Sequence, residues 1–467
     1  MAIVCKRGTI LSKPTSSPSP RQTALKILYA IDADGAYTDV ALRQTLRKTT
    51  YSRRDHAFIT ECVYGTVRWR GRIDWLLSQA CHRPLSTLTP WIRNALRLGV
   101  YQCLWMDRVP IHAAVHETVQ LSRRFGHAGT ARLANGVLRA LLRQHQTYQL
   151  PKAETEPVSH LAIAYSHPEW LVARWLQRYG WERTQAICQA NNRPSGVTLR
   201  TNTLRTSPSQ LAKHLKQEGV VDIQTSELLP EALIIRGSNR LDALPSYQNG
   251  LFQAQDQAAM LVAPLCCPQP GQRVLDVCAA PGGKTTHLAQ LMGDEGMILA
   301  CDVSPGRLRM VRHHILRLEL SSVVTAVIDA TNSSPIQGKF DRILVDAPCS
   351  GLGVLRHHPD IKWRKSLKDL AALQSAQLSL LRIQHDLLAP DGIMVYSVCS
   401  YEPEETHDVV TQFLMAHPDM QPDTIAADLP PFLSQQTKTS GCLELTPEQW
   451  QTDGIFVARF RRKASIL

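Results

Sequence analysis

Apolar residues in the first third of the chain recur at helical spacing. Ala24, Leu25, Ile27, Leu28 and Ile31 fall on one face of a 3.6-residue repeat; Phe58, Ile59, Val63 and Trp75 repeat in the same way within 55–77, and Ile92, Leu96, Val100 and Leu104 do so again. Pro84, Pro90 and Pro110 stand where such helices start or stop. The pattern predicts an all-α domain over 21–146, behind a tail at 1–20 that lacks acidic groups and is expected to be disordered. A polar stretch with two prolines, 146–157, reads as a linker, and 158–193 returns to helical spacing through Leu161, Ile163, Trp170, Leu171, Trp175 and Leu176. VTLRTNTLR from Val197, a helix beginning near Ser207 and ALIIR at 232–236 suggest a small β-α-β element. Residues 147–245 are therefore predicted to be a linker and a small α/β connecting subdomain.

From residue 250 onward the pattern changes to short apolar runs alternating with helix or loop. VLDVC (274–278), MILACD (297–302), VTAVID (324–329), RILVDAP (342–348) and GIMVYSVC (392–399) predict a doubly wound, mostly parallel α/β sheet over 246–465. GIFVARFRR (454–462) is expected to lie antiparallel in the edge region.

Charge sharpens this division. Residues 1–150 hold 22 Lys and Arg against 8 Asp and Glu, and the rest holds 30 against 32, so the whole excess of +12 belongs to the helical third. That asymmetry is the electrostatic footprint expected for nucleic acid. The arginines cluster at Arg68, Arg70 and Arg72, at Arg123 and Arg124, and at Arg132, Arg139 and Arg143, with Trp69 interleaved in the first run, either to stack on a base or to pack into the bundle. Arg200 and Arg205 could extend the surface. The twelve cysteines are scattered without a C-x-x-C pair, which argues against disulfides and zinc and for a reducing cytoplasm. No apolar run is long enough to span a bilayer.

The candidate chemistry gathers at the predicted strand ends, where doubly wound sheets bind ligands. The first strand ends in Asp276 and a loop, Cys278-Ala279-Ala280-Pro281-Gly282-Gly283-Lys284. Gly283-Lys284-Thr285 matches the end of a phosphate-binding loop, but Cys278 occupies the position of that motif's first glycine. Asp302 and Asp329 end the next two strands, the first placed for ribose hydroxyls and the second for an adenine amino group. Three acidic groups would repel a triphosphate and suit a ligand with a positive centre, such as S-adenosylmethionine. The fourth and fifth strands deliver Asp346-Ala347-Pro348-Cys349 and Tyr396-Ser397-Val398-Cys399. Two cysteines beside a methyl-donor pocket point to pyrimidine carbon 5, a poor nucleophile until a thiolate adds at carbon 6.

CAAPGGKT, DAPCSG, HPDIKW and YSVCS followed by EPEE resemble the RNA (cytosine-5) methyltransferase family over about 250–465. ALKILYAIDADGAYTDVAL, SRRDHAFITECVYGTVRWRGRIDWLL and RLANGVLRALL resemble the NusB fold, an all-α RNA-binding module, over about 21–145. Together they are similar to the Sun/Fmu-type small-subunit ribosomal RNA methyltransferases. The resemblance implies a Rossmann-like catalytic domain without a metal. Cys399 maps onto the nucleophile and Cys349 onto the cysteine of product release; Asp346 orients the base and Lys284 lines the catalytic end. Cys278, Ala279, Ala280, Pro281, Gly282, Gly283, Lys284, Asp302, Asp329 and Asp346 map onto cofactor positions. Arg356, His357, His358 and Lys362 are candidates for substrate phosphate. Many relatives have Thr where this chain has Val398. The implied substrate is a single-stranded or remodelled region of 16S ribosomal RNA, acted on by a cytoplasmic monomer with no membrane partner. Transfer RNA methylation and a non-catalytic NusB-like assembly role remain alternatives, with nucleotide hydrolysis more distant.

Overall fold

Ser19 sets the start of the first helix: its hydroxyl accepts the Gln22 N–H while the Gln22 carboxamide accepts the Ser19 N–H, and Pro20 follows in the first turn. The computed structural model of the chain describes residues 18–194, 196–237, 240–331, 336–434, 437 and 441–463. The tail expected to be disordered lies almost wholly outside them. The chain divides near residue 150 into two compact units.

The first unit is all-α. Its core includes Ile73, Leu76, Leu77, Ile92, Leu96, Val100, Leu138 and Leu141, of which Ile92, Leu96 and Val100 belong to a face read in the sequence. The first arginine run turns inward: Arg68 is buried, Arg70 lies 3.7 Å from Asp32, and Arg72 sits 4.6 Å over the Trp75 ring. Asp32 also takes Arg93 at 2.6 Å and Arg97 at 3.2 Å, while Arg97 reaches Asp74 at 2.7 Å. Burial would raise the Asp32 pKa, but these guanidiniums hold it at about 2. Trp69 packs near Trp105, with ring centres 5.3 Å apart. Arg123, Arg124, Arg132, Arg139 and Arg143, on the helices Ile111–Arg124 and Ala128–Gln144, face solvent.

The second unit opens with helices Pro157–Ala164 and Glu169–Asn192. A small antiparallel sheet follows, built from β1 (Val197–Thr201), β2 (Asp222–Thr225), β3 (Ala232–Arg236) and β4 (Phe252–Ala254) in the order β2-β3-β1-β4. It has two more strands than the β-α-β reading supplied, and β4 lies beyond residue 245. The large sheet contains β5 (Arg273–Asp276), β6 (Met297–Asp302), β7 (Val323–Val327), β8 (Phe340–Asp346), β9 (Leu388–Val398), β10 (Met420–Pro422), β11 (Cys442–Leu445) and β12 (Ile455–Arg462). Its order is β10-β12-β9-β8-β5-β6-β7, with β11 also on β12. Strands β5 to β9 pair in parallel and β12 runs antiparallel to β9. The strand expected in the edge region does run antiparallel, next to the edge and not at it, because β10 and β11 both pair with its outer side.

Both faces of this sheet are covered, as parallel sheets require. Along β9, Ile393 and Val395 enter one apolar cluster with Val274 and Leu344, while Met394, Tyr396 and Val398 enter another with Leu275, Ile343 and Val345. Among the described residues no helix is long and apolar enough to cross a membrane.

Candidate active site

The parallel strands run from β5 through β6 to β7 on one side and from β8 to β9 on the other, so the winding reverses between β5 and β8. A crevice at such a reversal is where doubly wound sheets take ligands. Across the carboxyl edge the strand ends present, in spatial order, Cys399, Asp346, Asp276, Asp302 and Asp329. One register therefore brings together residues far apart in the chain.

The loop after β5 turns at Gly282, whose φ of +106° is open to glycine and costly for other residues. A Cβ there would also lie 3.1 Å from the Val311 backbone on helix Pro305–Leu318. Thr285, in the first turn of helix Gly283–Leu291, donates its hydroxyl to Asp276 at 2.6 Å. Burial raises the Asp276 pKa to about 7, with Asp346 adding to the rise and Thr285 and Lys284 opposing it. Asp302 receives the Ala280 N–H at 3.3 Å and the Ser304 N–H at 2.9 Å, with Arg307 3.6 Å away. Asp329 stands exposed two residues past β7 and accepts the Thr331 N–H and hydroxyl.

The reactive end lies at β8 and β9. Lys284 Nζ is 2.6 Å from Asp346 Oδ1, and the Ser397 hydroxyl donates to the same oxygen at 2.7 Å. Asp346 Oδ2 carries no hydrogen bond among the described residues. Burial works to lower the Lys284 pKa, but the Asp346 carboxylate outweighs it and keeps the ammonium charged. The sulfurs of Cys349 and Cys399 are 3.0 Å apart. Its bond to Cys399 and its burial push the Cys349 thiol well above the ordinary range. Val398 points away into the core, so the hydroxyl that reaches Asp346 comes from Ser397.

Three contacts fix the cysteine loops, and the sequence reading missed them. Gly353 donates its N–H to the Cys399 carbonyl at 2.9 Å, and Gly454 donates to the Gly353 carbonyl at 2.8 Å. A Cβ on Gly353 would stand 2.3 Å from the Gly454 oxygen, so only glycine fits. Glu405, in the EPEE run, accepts from Ser350 beside Cys349. Nearby, Arg174 and Trp175 hold Glu402 at 2.9 and 3.0 Å, pinning helix Glu169–Asn192 against the end of β9.

Several expected substrate contacts fall elsewhere. Arg200 is buried, not on an RNA surface: it donates to the Gly283 carbonyl at 2.5 Å, to the Thr286 hydroxyl at 2.8 Å and to Gln255. It ties β1 to the loop and helix that follow β5. Arg205 is taken by the Asn249 carbonyl and by Glu319 at 3.1 Å. Lys362 is buried 3.5 Å from Asn192 Oδ1, and His357 stands 3.9 Å from Asp256 and 3.8 Å from Asp453.

Four carboxylates on adjacent strand ends, with Lys284 beside Asp346 and Arg307 beside Asp302, disfavour a polyphosphate. They fit S-adenosylmethionine, which has a cationic sulfonium and hydroxyls that donate. Asp302 and the Cys278–Gly283 loop would hold its nucleoside half, and Asp276 with Lys284 the reactive half.

Comparison with known proteins agrees with both units. The family described as 16S rRNA methyltransferase RsmB/F matches residues 263–461, the NusB family matches 18–143, and an RsmF/B-like ferredoxin-like domain matches 167–242. The probable ribosomal RNA small subunit methyltransferase B of Bacillus subtilis is 34% identical over 448 residues, covering 95% of this chain and 99% of its own. That of Synechocystis is 35% identical over 449 residues, with the same coverage. Among solved structures, PH0851 superposes with a TM-score of 0.80 at 26% identity, covering 96% of this chain and 100% of its own. Full-length similarity to these proteins, together with a NusB-type unit and a methyltransferase sheet in one chain, means that this protein belongs to the ribosomal RNA small subunit methyltransferase B family.

Proposed function

We propose that this family member transfers a methyl group from S-adenosylmethionine to carbon 5 of a cytosine in 16S ribosomal RNA, through a covalent adduct with Cys399. The observation that carries the reading is the pair of sulfurs 3.0 Å apart beside Asp346 and Lys284. Burial and the bond to Cys399 push the Cys349 thiol up. A thiolate is the nucleophile in such chemistry, and the resemblance to the cytosine-5 family gives that role to Cys399, at the end of β9, and the later steps to Cys349.

When bound, S-adenosylmethionine supplies an electrophilic methyl group on a positive sulfur. The rest of the work falls to the chain. Asp346 Oδ2 accepts the cytosine amino group while Oδ1 stays on Lys284 and Ser397. The Cys399 sulfur forms a bond to carbon 6, which makes carbon 5 nucleophilic. After methylation the carbon-5 proton is removed, the carbon 5–6 double bond re-forms and the carbon–sulfur bond breaks. The target base must leave its stack to reach these groups, which favours single-stranded or remodelled RNA. The exposed arginines of the helical unit supply phosphate contacts that position the RNA.

Labelled S-adenosylmethionine and undermodified small-subunit RNA test this directly, with bisulfite mapping to locate 5-methylcytosine. Transfer to carbon 5 of one cytosine is expected. No transfer to any RNA would overturn the catalytic reading, and transfer to transfer RNA alone would move the substrate.

A further inference from the structure

A cavity of about 610 Å³ lies between the small antiparallel sheet and the segment joining β11 to β12. Its wall carries Arg193, Arg236 and Arg356, the Trp450 side chain and four glutamine carboxamides. Of the lining carboxylates, Glu227 is exposed, whereas Asp256 is committed to the Ala258 N–H and the Thr452 hydroxyl at 2.8 and 2.7 Å.

Arg356 is buried, and burial together with the neighbouring charge of Arg193 lowers its pKa despite Asp453 and Asp256. An anion between Arg193 and Arg356 offsets their mutual repulsion, and guanidinium matches phosphate in bidentate geometry. The carboxamides offer donors and acceptors suited to a base edge.

Two lining residues lie close in the chain to residues that hold the site. Arg356 stands three residues past Gly353, whose N–H holds the Cys399 carbonyl. Asp256 follows Gln255, whose side chain bonds Arg200 and would lie 3.4 Å from a Cβ on Gly283.

We propose that this cleft receives a nucleotide flanking the target cytosine in the same RNA strand, its phosphate between Arg193 and Arg356 and its unstacked base among the glutamines and Trp450. The inference rests on the reading of the substrate as RNA. It gives the extruded target a fixed neighbour, so that sequence context is read at the site as well as by the helical unit.

Arg193→Ala combined with Arg236→Ala tests it, since both side chains are exposed and folding is checked by unchanged S-adenosylmethionine affinity. The probe is a small-subunit RNA fragment containing the mapped cytosine, used in turnover and in fluorescence anisotropy. KM should rise about tenfold with kcat retained, and the salt slope of binding should fall by about 0.7 for each arginine that meets a phosphate. A neutral methylphosphonate at one flanking position should weaken binding to the unaltered protein and have little further effect on the double variant. Unchanged KM and salt slope, or no flanking position that couples to the arginines, would overturn the cleft. Anisotropy needs no turnover, so the cleft is judged on binding even if the catalytic reading fails.

Discussion

Glu405 reaches across 55 positions of sequence to hold Ser350: its carboxylate accepts the Ser350 N–H at 2.7 Å and the Ser350 hydroxyl at 2.5 Å. Gln377 donates to the same carboxylate at 3.3 Å, and Glu405 is fully buried. The bond fixes the residue next to Cys349, so the position of that thiol depends on a side chain six residues past Cys399. Glu405→Ala strands the buried Ser350 N–H and leaves the Ser350 hydroxyl only the longer bond to Ser400 at 3.3 Å, and urea denaturation should show a loss of roughly 3 kcal/mol. Glu405→Gln keeps an acceptor and should lose less. A loss below about 0.5 kcal/mol for the alanine variant would mean that the loop is held by other contacts.

The two cysteines should separate by phenotype. Cys399→Ala should abolish methyl transfer, while Cys349→Ala should accumulate a covalent protein–RNA adduct visible as a retarded band on a denaturing gel. Reversed phenotypes would exchange their roles.

Arg200 distinguishes an internal strut from an RNA contact. Arg200→Met removes its bonds to the Gly283 carbonyl and the Thr286 hydroxyl, at a cost to stability of about 2–3 kcal/mol. Calorimetry should show weakened S-adenosylmethionine binding, with the KM for RNA unchanged. A rise in the RNA KM alone would put the arginine on the substrate side after all.

The raised pKa of Asp276 makes stability depend on pH. A carboxyl whose folded pKa is about 7 against an ordinary 3.8 binds its proton more tightly when folded. Its contribution to stability is full below about pH 4 and is lost as pH rises through about 7, up to about 4 kcal/mol in all. Asp276→Asn should flatten the stability profile over that window in the absence of ligand. Parallel profiles for the two proteins would show that the burial of Asp276 is relieved in some other way.

What the sequence made legible was whatever local spacing encodes. The helical faces, the five parallel strands and the residues at their ends all follow from periodicity and motif. β2, β4, β10 and β11 have three or four residues, too few to show a period, and no motif follows them as one follows the equally short β5, so the outer neighbours of β12 were hidden. Arg200 read as surface because a charged residue in a short strand ordinarily faces water; its partners Gly283 and Thr286 are 83 and 86 residues away. Where many relatives have Thr, this chain has Val398, and strand alternation turns that position into the core. Ser397 faces Asp346, and Val398 faces Leu275 and Ile343 in the core.

The junction of Gly353 with Gly454 imposes an order on biogenesis. The loop that carries Cys349 is closed by backbone just ahead of β12, and β9 gains its antiparallel neighbour only from that strand. Domains generally fold as units, N-terminal first, during synthesis. The helical unit, complete by Gln144, can therefore acquire its structure while the catalytic crevice still lacks a wall. A nascent chain that stops short of residue 454 has an arginine-bearing surface and the strand that leads to Cys399, but lacks the backbone that closes the Cys349 loop. Completion of that end of the crevice is thereby coupled to the emergence of the last strand.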